Sequence, residues 1–262
     1  MAVSVRQTEI LKLVRQQGSC TIGDLAERLQ VSDETIRRNV KPLVSEGLVL
    51  KVHGGIILPD RFDEPPIQRR MLDNQAAKER IAASVAQQIQ DGDSLILDTG
   101  STTTYVAKAL ANHANLVVVT NSPHIASLLA TRNGNRVFMA GGELREHDAA
   151  AFGASAIDFV KSFDVRFAVL SMWAVHPDKG FMVYHLCEAE FSRAAIGQAE
   201  RCIVAADCSK FERRSLVQVC DLATADMLVT DSAPDSRLAR SLTDADVEVL
   251  VTEGANAYDA AD

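Results

Sequence analysis

No stretch of this chain approaches the roughly 20 consecutive apolar residues that cross a bilayer, so a membrane-spanning helix is not expected. A secretory leader is not expected either, because Arg6, Glu9 and Lys12 interrupt the apolar positions near the start. The five cysteines (Cys20, Cys187, Cys202, Cys208, Cys220) show no CxxC or Cys/His spacing, which leaves no metal-ligand pattern and no disulfide framework. They read as reduced thiols, and with the other absences they lead us to expect a cytoplasmic protein without metal or cofactor. A positive excess is also missing. The net charge of −8 excludes a protein that coats nucleic acid over its whole surface.

That charge is unevenly spread. Residues 1–60 carry eight Lys/Arg against seven Asp/Glu, so the remaining chain holds −9. A near-neutral head on an acidic body suggests two domains with different tasks. Pro65-Pro66, within a stretch of Pro, Asp, Glu and Arg from Pro59 to Arg70, marks the connection. The expected division is a head over 1–58, a linker over 59–74, a large domain over 75–254 and a disordered tail over 255–262.

Three helices and a hairpin are readable in the head. Ile10, Leu11, Leu13 and Val14 recur at helical spacing until Gly18. Thr21 followed by Asp24 resembles a capping box opening a second helix, with Leu25, Ala26 and Leu29 inward. Ser32 is a good N-cap for a third helix. That helix buries Ile36, Val40 and Leu43, and Gly47 ends it. Leu48–Lys51, the His53-Gly54-Gly55 turn and Ile56–Leu58 then make a two-stranded wing. A helix, a tight turn and a second helix is the arrangement that lays one helix in the major groove. On this reading Ser32, Thr35, Arg37 and Arg38 face DNA, while Lys51 and His53 reach phosphates from the wing. Taken alone, Arg37 and Arg38 are equally a solvated helix face.

The large domain alternates short apolar runs with helical stretches, beginning with a helix over about 75–90 that carries Ile81, Val85 and Ile89. The runs are 94–98, 116–120, 136–140, 166–171, 202–206, 227–230 and 247–251. They are continuous rather than alternating, as strands buried on both faces should be. A mostly parallel, Rossmann-like α/β sheet follows, with ligands expected beyond the strands' carboxyl ends. The first such end reads Asp98-Thr99-Gly100-Ser101-Thr102-Thr103-Thr104. Glycine and hydroxyls at a helix start suit an anion, because helix amides and dipole attract phosphate. No Gly-Lys-Ser/Thr loop is present. Thr120-Asn121-Ser122, Gly141-Gly142-Glu143 and Asp207-Cys208-Ser209-Lys210 stand at further strand ends, and Lys210 offers a cation. Each also has a plain structural reading, as cap, turn or surface charge.

The strings 25–29 (LAERL), 31–38 (VSDETIRR) and His53-Gly54-Gly55 resemble the DeoR family of bacterial transcriptional regulators. The resemblance extends through the four strand-end segments over nearly the whole chain. Two positions depart in the head: Asn39 stands where the family has aspartate, and Pro42 lies inside the third helix. Met172–Pro177 replaces a glycine-richer stretch, leaving Trp173 and His176 as pocket residues or as packing. The resemblance implies a winged helix-turn-helix and a sensor of the sugar-phosphate isomerase/CoA-transferase type. It implies a repressor of a carbohydrate operon, bound to double-stranded operator DNA as a homo-oligomer (dimer or tetramer). It also implies a phosphorylated sugar or sugar alcohol held by Asp98, Gly100, Ser101, Thr102, Thr103, Asn121, Gly141 and Lys210. Two further readings stay open. One is an isomerase using Glu188 or Glu190 as a base, and the other is an interaction module without DNA affinity.

Overall fold

A computed structural model describes residues 4–17, 19–46, 48–52, 54–57 and 65–252. Gly18, Gly47, His53, residues 58–64 and the tail from 253 lie outside the described residues. The chain separates into two compact units, Met1–Glu64 and Pro65–Asp262.

The first unit holds α1 (Val5–Gln17), β1 (Ser19–Thr21), α2 (Ile22–Arg28), α3 (Asp33–Ser45), β2 (Leu50–Val52) and β3 (Gly55–Ile57). Caps set both inner helix starts. Thr21 Oγ1 accepts the Asp24 amide at 3.1 Å, and Ser32 Oγ accepts the Thr35 amide at 3.3 Å. Ile10, Val14, Leu25, Ile36, Leu43 and Ile56 close one small apolar core. Pro42 does not end α3, which runs on to Ser45. The hairpin expected as two strands is the outer part of a three-stranded sheet in which β1 pairs with β3. Gly55 is required there: a Cβ on it would meet the Cys20 carbonyl oxygen at 2.4 Å.

The second unit opens with α4 (Ile67–Leu72), inside the stretch expected as linker. Pro66 stands at its N-cap, a position that needs no amide hydrogen, so the Pro-Pro pair starts a helix rather than forbidding one. Then follow α5 (Gln75–Ala86), β4 (Ser94–Leu97), α6 (Ser101–Ala109), β5 (Val117–Thr120), α7 (Pro123–Leu129) and β6 (Arg136–Met139). The chain continues with α8 (Ala154–Val160), β7 (Val165–Ser171), β8 (Ala174–His176), β9 (Gly180–Val183), α9 (Leu186–Ile196), β10 (Ala199–Ala205) and β11 (Val217–Cys220). It closes with β12 (Met227–Thr230), α10 (Ser236–Asp244) and β13 (Glu248–Val251).

All seven apolar runs enter one sheet, ordered β13-β12-β10-β7-β4-β5-β6 with every neighbouring pair parallel. Successive residues point to opposite faces. Ile96, Ala168, Leu170 and Val204 pack with α8, α9 and α10, whereas Leu95, Leu97, Val169 and Ile203 pack with α5, α6 and α7. Strands sandwiched in this way must be apolar at every position, which is why the runs are unbroken. A second sheet, β11-β9-β8, leans on the first of these cores through Val175, Phe181 and Val219. From β4 the chain builds outward through β5 to β6, then returns to β4's other side as β7. The sheet's switch point therefore lies between β4 and β7.

Candidate functional site

On α3 the exposed side chains are Asp33, Glu34, Arg37, Arg38, Lys41 and Ser45. Ser32 and Thr35 are spent locally. Their hydroxyls meet at 3.0 Å, and Ser32 caps the helix. Asn39, where the family has an acid, turns inward and donates from Nδ2 to the Thr35 carbonyl at 2.8 Å. Its carbonyl accepts from Gln7 Nε2 at 3.4 Å. The exposed donors left for a phosphate backbone are Arg37, Arg38 and Lys41, joined by exposed Lys51 on β2. His53 lies outside the described residues.

In the second unit the β4–β7 switch point is bridged by Asp98. Its buried carboxyl accepts the Ser171 amide at 3.0 and 3.2 Å, with Ser171 Oγ 3.4 Å away. Burial pushes this carboxyl well above the usual carboxylate range, more than those hydrogen bonds hold it down. Gly100 is the N-cap of α6 and supplies no side chain to cap it, and the first turn carries no acid. A Cβ at Gly100 would lie 2.0 Å from Ser171 Oγ, so only glycine permits this approach of α6 to β7. Ser101, Thr102, Thr103 and Thr104 are all buried at the helix start. The Thr103 hydroxyl is turned back on the Asp98 carbonyl at 2.9 Å, and that of Thr104 on the Gly100 carbonyl at 2.7 Å. These two brace the loop. Among the described residues no such bond ties Ser101 or Thr102.

Asn121, fully buried after β5, donates from Nδ2 to the Ala151 carbonyl at 3.0 Å and leaves Oδ1 without a partner. Gly141 is exposed with nothing near its Cβ position, so the structure does not draw it into the site; the constrained neighbour is Gly142, near the Phe152 carbonyl oxygen. Lys210 places its ammonium 4.1 Å from the centre of the Trp173 ring, and the Tyr184 ring packs against that same ring with centroids 4.5 Å apart. Burial lowers the Lys210 ammonium to about 8, opposed by Asp207 and reinforced by Lys78. Trp173 is therefore a platform for a cation. His176 is a packed residue of the small sheet, accepting from Arg214 Nε at 3.2 Å.

Sequence reasoning missed several groups. Ser171 stands at a strand end, where the ligand rule would have found it. Arg145 carries no motif, yet it joins Asp148 and, at 2.6 Å, Glu188. Glu188 Oε2 also accepts the His185 amide at 3.3 Å. Glu188 is thus locked in an ion pair, and Glu190 is exposed, so neither stands ready as a base. His147, His185 and Glu188 converge closely enough to hold a cation. The Arg145 charge already satisfying Glu188 opposes one there. Lys78, 3% exposed on α5, is a buried ammonium that the apolar stripe of that helix did not suggest.

Comparison with known proteins covers both units. Residues 6–62 match the DeoR-like helix-turn-helix domain and residues 73–232 the DeoR C terminal sensor domain. The glycerol-3-phosphate regulon repressor of Escherichia coli (strain K12) is 34% identical over 249 residues, 95% of this chain and 99% of that protein. The transcriptional repressor AccR of Agrobacterium fabrum is 34% identical over 87% of this chain and 89% of its own length. The repressor CsqR of Escherichia coli (strain K12) is 30% identical over 95% of each. A ribose 5-phosphate isomerase A from Methanocaldococcus jannaschii superposes on 53% of this chain and 55% of its own at a TM-score of 0.39 and 17% identity, a likeness too partial to bear on function. With both units matched and repressors related along nearly the full length, the chain belongs to the DeoR family of transcriptional regulators.

Proposed function

We propose that this repressor is controlled by a small phosphate monoester, a phosphorylated sugar or sugar alcohol, seated between the start of α6 and Lys210. The observation that carries this is the uncapped α6 terminus at the switch point. Free helix amides, an absent first-turn acid and a glycine close against Ser171 make a local charge pattern suited to an anion. Ser101 and Thr102 supply hydroxyls, Lys210 supplies charge, and Asp98, Thr103 and Asn121 hold the walls. Gly141 is kept only as part of the loop after β6. Relatives named for a glycerol-3-phosphate regulon make glycerol 3-phosphate the first ligand to try.

In this reading Arg37, Arg38, Lys41 and Lys51 contact operator phosphates and base edges. Two heads are presented by a homo-oligomer, because symmetric oligomers match repeated half-sites. The protein works in the cytoplasm, and the sensor senses rather than turns over its ligand, since Glu188 is committed to Arg145. Thermal unfolding with a panel of phosphate monoesters tests the sensor. A ligand at 100-fold its Kd stabilises by about 2.7 kcal/mol, and no shift from any monoester would discard the reading. Electrophoretic mobility shift with DNA upstream of its own gene tests the head. A folded protein that retards no fragment at low salt would favour the interaction-module alternative.

A further inference from the structure

α4 is a six-residue helix with no fully buried residue, too short to stand by itself. It is the first element after the boundary between the units. Its place is set by hydrogen bonds from three parts of the sensor's carboxyl edge. The Ile67 amide donates to the His147 carbonyl, in the loop after β6, at 3.2 Å. The Tyr105 hydroxyl of α6 donates to the Met71 carbonyl at 2.9 Å. Lys78 Nζ of α5 donates to the carbonyls of Arg70 and Asp73 at 2.5 and 2.6 Å. Beyond the helix, Asn74 at φ 52° donates from Nδ2 to Asp207 Oδ1 at 2.9 Å and to Ser209 Oγ at 3.2 Å.

A buried cation, Lys78, and a half-buried one, Lys210, share one acid in this arrangement. Asp207 acts on both Lys78 and Lys210, and its Oδ2 is buried with no partner. Lys78 donates only to carbonyls, although the Asp207 carboxylate, a stronger acceptor, acts on its charge. A ligand anion seated on Lys210 would replace Asp207 as that cation's counter-charge. Asp207 would then be left for Lys78.

Resting on the effector reading above, we propose that Lys78 is a two-position latch. It clamps the end of α4 when the site is empty, and it turns to Asp207 Oδ2 when a phosphate monoester holds Lys210. Turning frees α4, the element next in sequence to the DNA-reading unit. Each ligand state then favours one position of a bistable contact, which is what coupling between two sites requires. Asn74 is the second tie, linking Asp207 to the α4 turn. Neither residue touches the ligand, so both are positioning residues.

The test measures, on full-length protein, glycerol 3-phosphate affinity by calorimetry and operator affinity with and without that ligand, using inorganic phosphate as the minimal probe. In Lys78→Met, ligand affinity is expected within about three-fold of wild type, while the ligand's effect on operator affinity collapses to within about two-fold of none. Asn74→Gly, which keeps the left-handed backbone at φ 52° and removes only the side-chain ties, is expected to reduce the same coupling at unchanged ligand affinity, and it carries the test if Lys78→Met does not fold. Wild-type coupling in the folded variants overturns the latch alone. A loss of ligand affinity beyond about ten-fold in Lys78→Met also overturns it, by making Lys78 a ligand contact. A wild type whose DNA binding ignores every phosphate monoester overturns the effector reading, and the latch with it.

Discussion

The two units place their candidate binding groups in opposite ways. In the head, Arg37, Arg38 and Lys51 are exposed, and the buried residues serve only to hold α3 in position. In the sensor, Asp98, Ser101, Thr102 and Asn121 are buried, and the polar groups around them are largely tied to one another. A long polyanion is held by many solvated charges, each of them modest and screened by salt. A single small anion needs amides and hydroxyls fixed before it arrives, in a place where water competes less. The head should therefore tolerate changes to its binding residues without losing its fold. The sensor should not.

The sharpest way to break that contrast is Gly100→Ala. The added methyl collides with Ser171 Oγ and disturbs the Asp98–Ser171 bridge. A cost of about 1–3 kcal/mol in thermal unfolding of the sensor is expected, together with loss of stabilisation by glycerol 3-phosphate. An unchanged melting curve with full ligand response would show that the close approach is not needed.

Arg37→Ala/Arg38→Ala is the counterpart in the head. Operator affinity should fall by about ten- to a hundred-fold, with the dependence of log K on log salt shallower by about 1.8. Unfolding and ligand binding should not move. Filter binding across a salt series checks this, and an unaltered slope would mean that neither arginine meets a phosphate.

The two regions should also separate by pH. Operator affinity carried by phosphate contacts should be flat from pH 7 to 9. Lys210 loses its proton near 8, so glycerol 3-phosphate affinity should drop by up to about ten-fold over the same range. Without ligand the sign reverses for stability. The folded state releases this proton at lower pH than the unfolded chain does, so stability gains between about 8 and 10.5. Calorimetry at three pH values decides it, and ligand affinity that stays level would remove Lys210 from the site.

The smallest expected effect is Ser32→Ala. It removes the cap of α3 at a cost of about 1 kcal/mol, confined to the head. Hydrogen exchange should show faster opening of α3 and unchanged protection in the parallel sheet. Loss of protection in the sheet would mean that the units do not unfold separately.

The parts of the molecule legible in advance are those whose physics is local. Thr21 and Ser32 were readable as caps because capping depends on three or four consecutive residues. The five inner strands of the large sheet were readable because a strand covered on both faces has to be apolar throughout, and the edge strands β6 and β13 because their short runs are apolar though only half-buried. α4 was not readable, because Pro65-Pro66 signals a break whether a helix stops or starts there. The small sheet was missed for another reason: β8, β9 and β11 are only three or four residues long, too short for a recognisable run even though β8 and β9 are buried throughout. Of the candidate site, Asp98 through Thr104 showed itself as glycine and hydroxyls beside a strand, while the contacts of Ser171, Arg145 and Lys78 did not show. Their roles come from partners 73, 43 and 8 or fewer positions away.

By itself, then, the order of residues determined the helix boundaries of the head, the parallel sheet and the family, because caps, periodicity and contiguous motifs act over a few neighbours. Only the tertiary structure decided that the Asp98 carboxyl bridges two strands, that Thr103 braces rather than donates outward, that Trp173 carries a cation and that Glu188 is held by Arg145. Those outcomes depend on which distant groups are buried side by side. Burial sets the strength of a charge and the partner of a hydrogen bond, and no stretch of sequence records it.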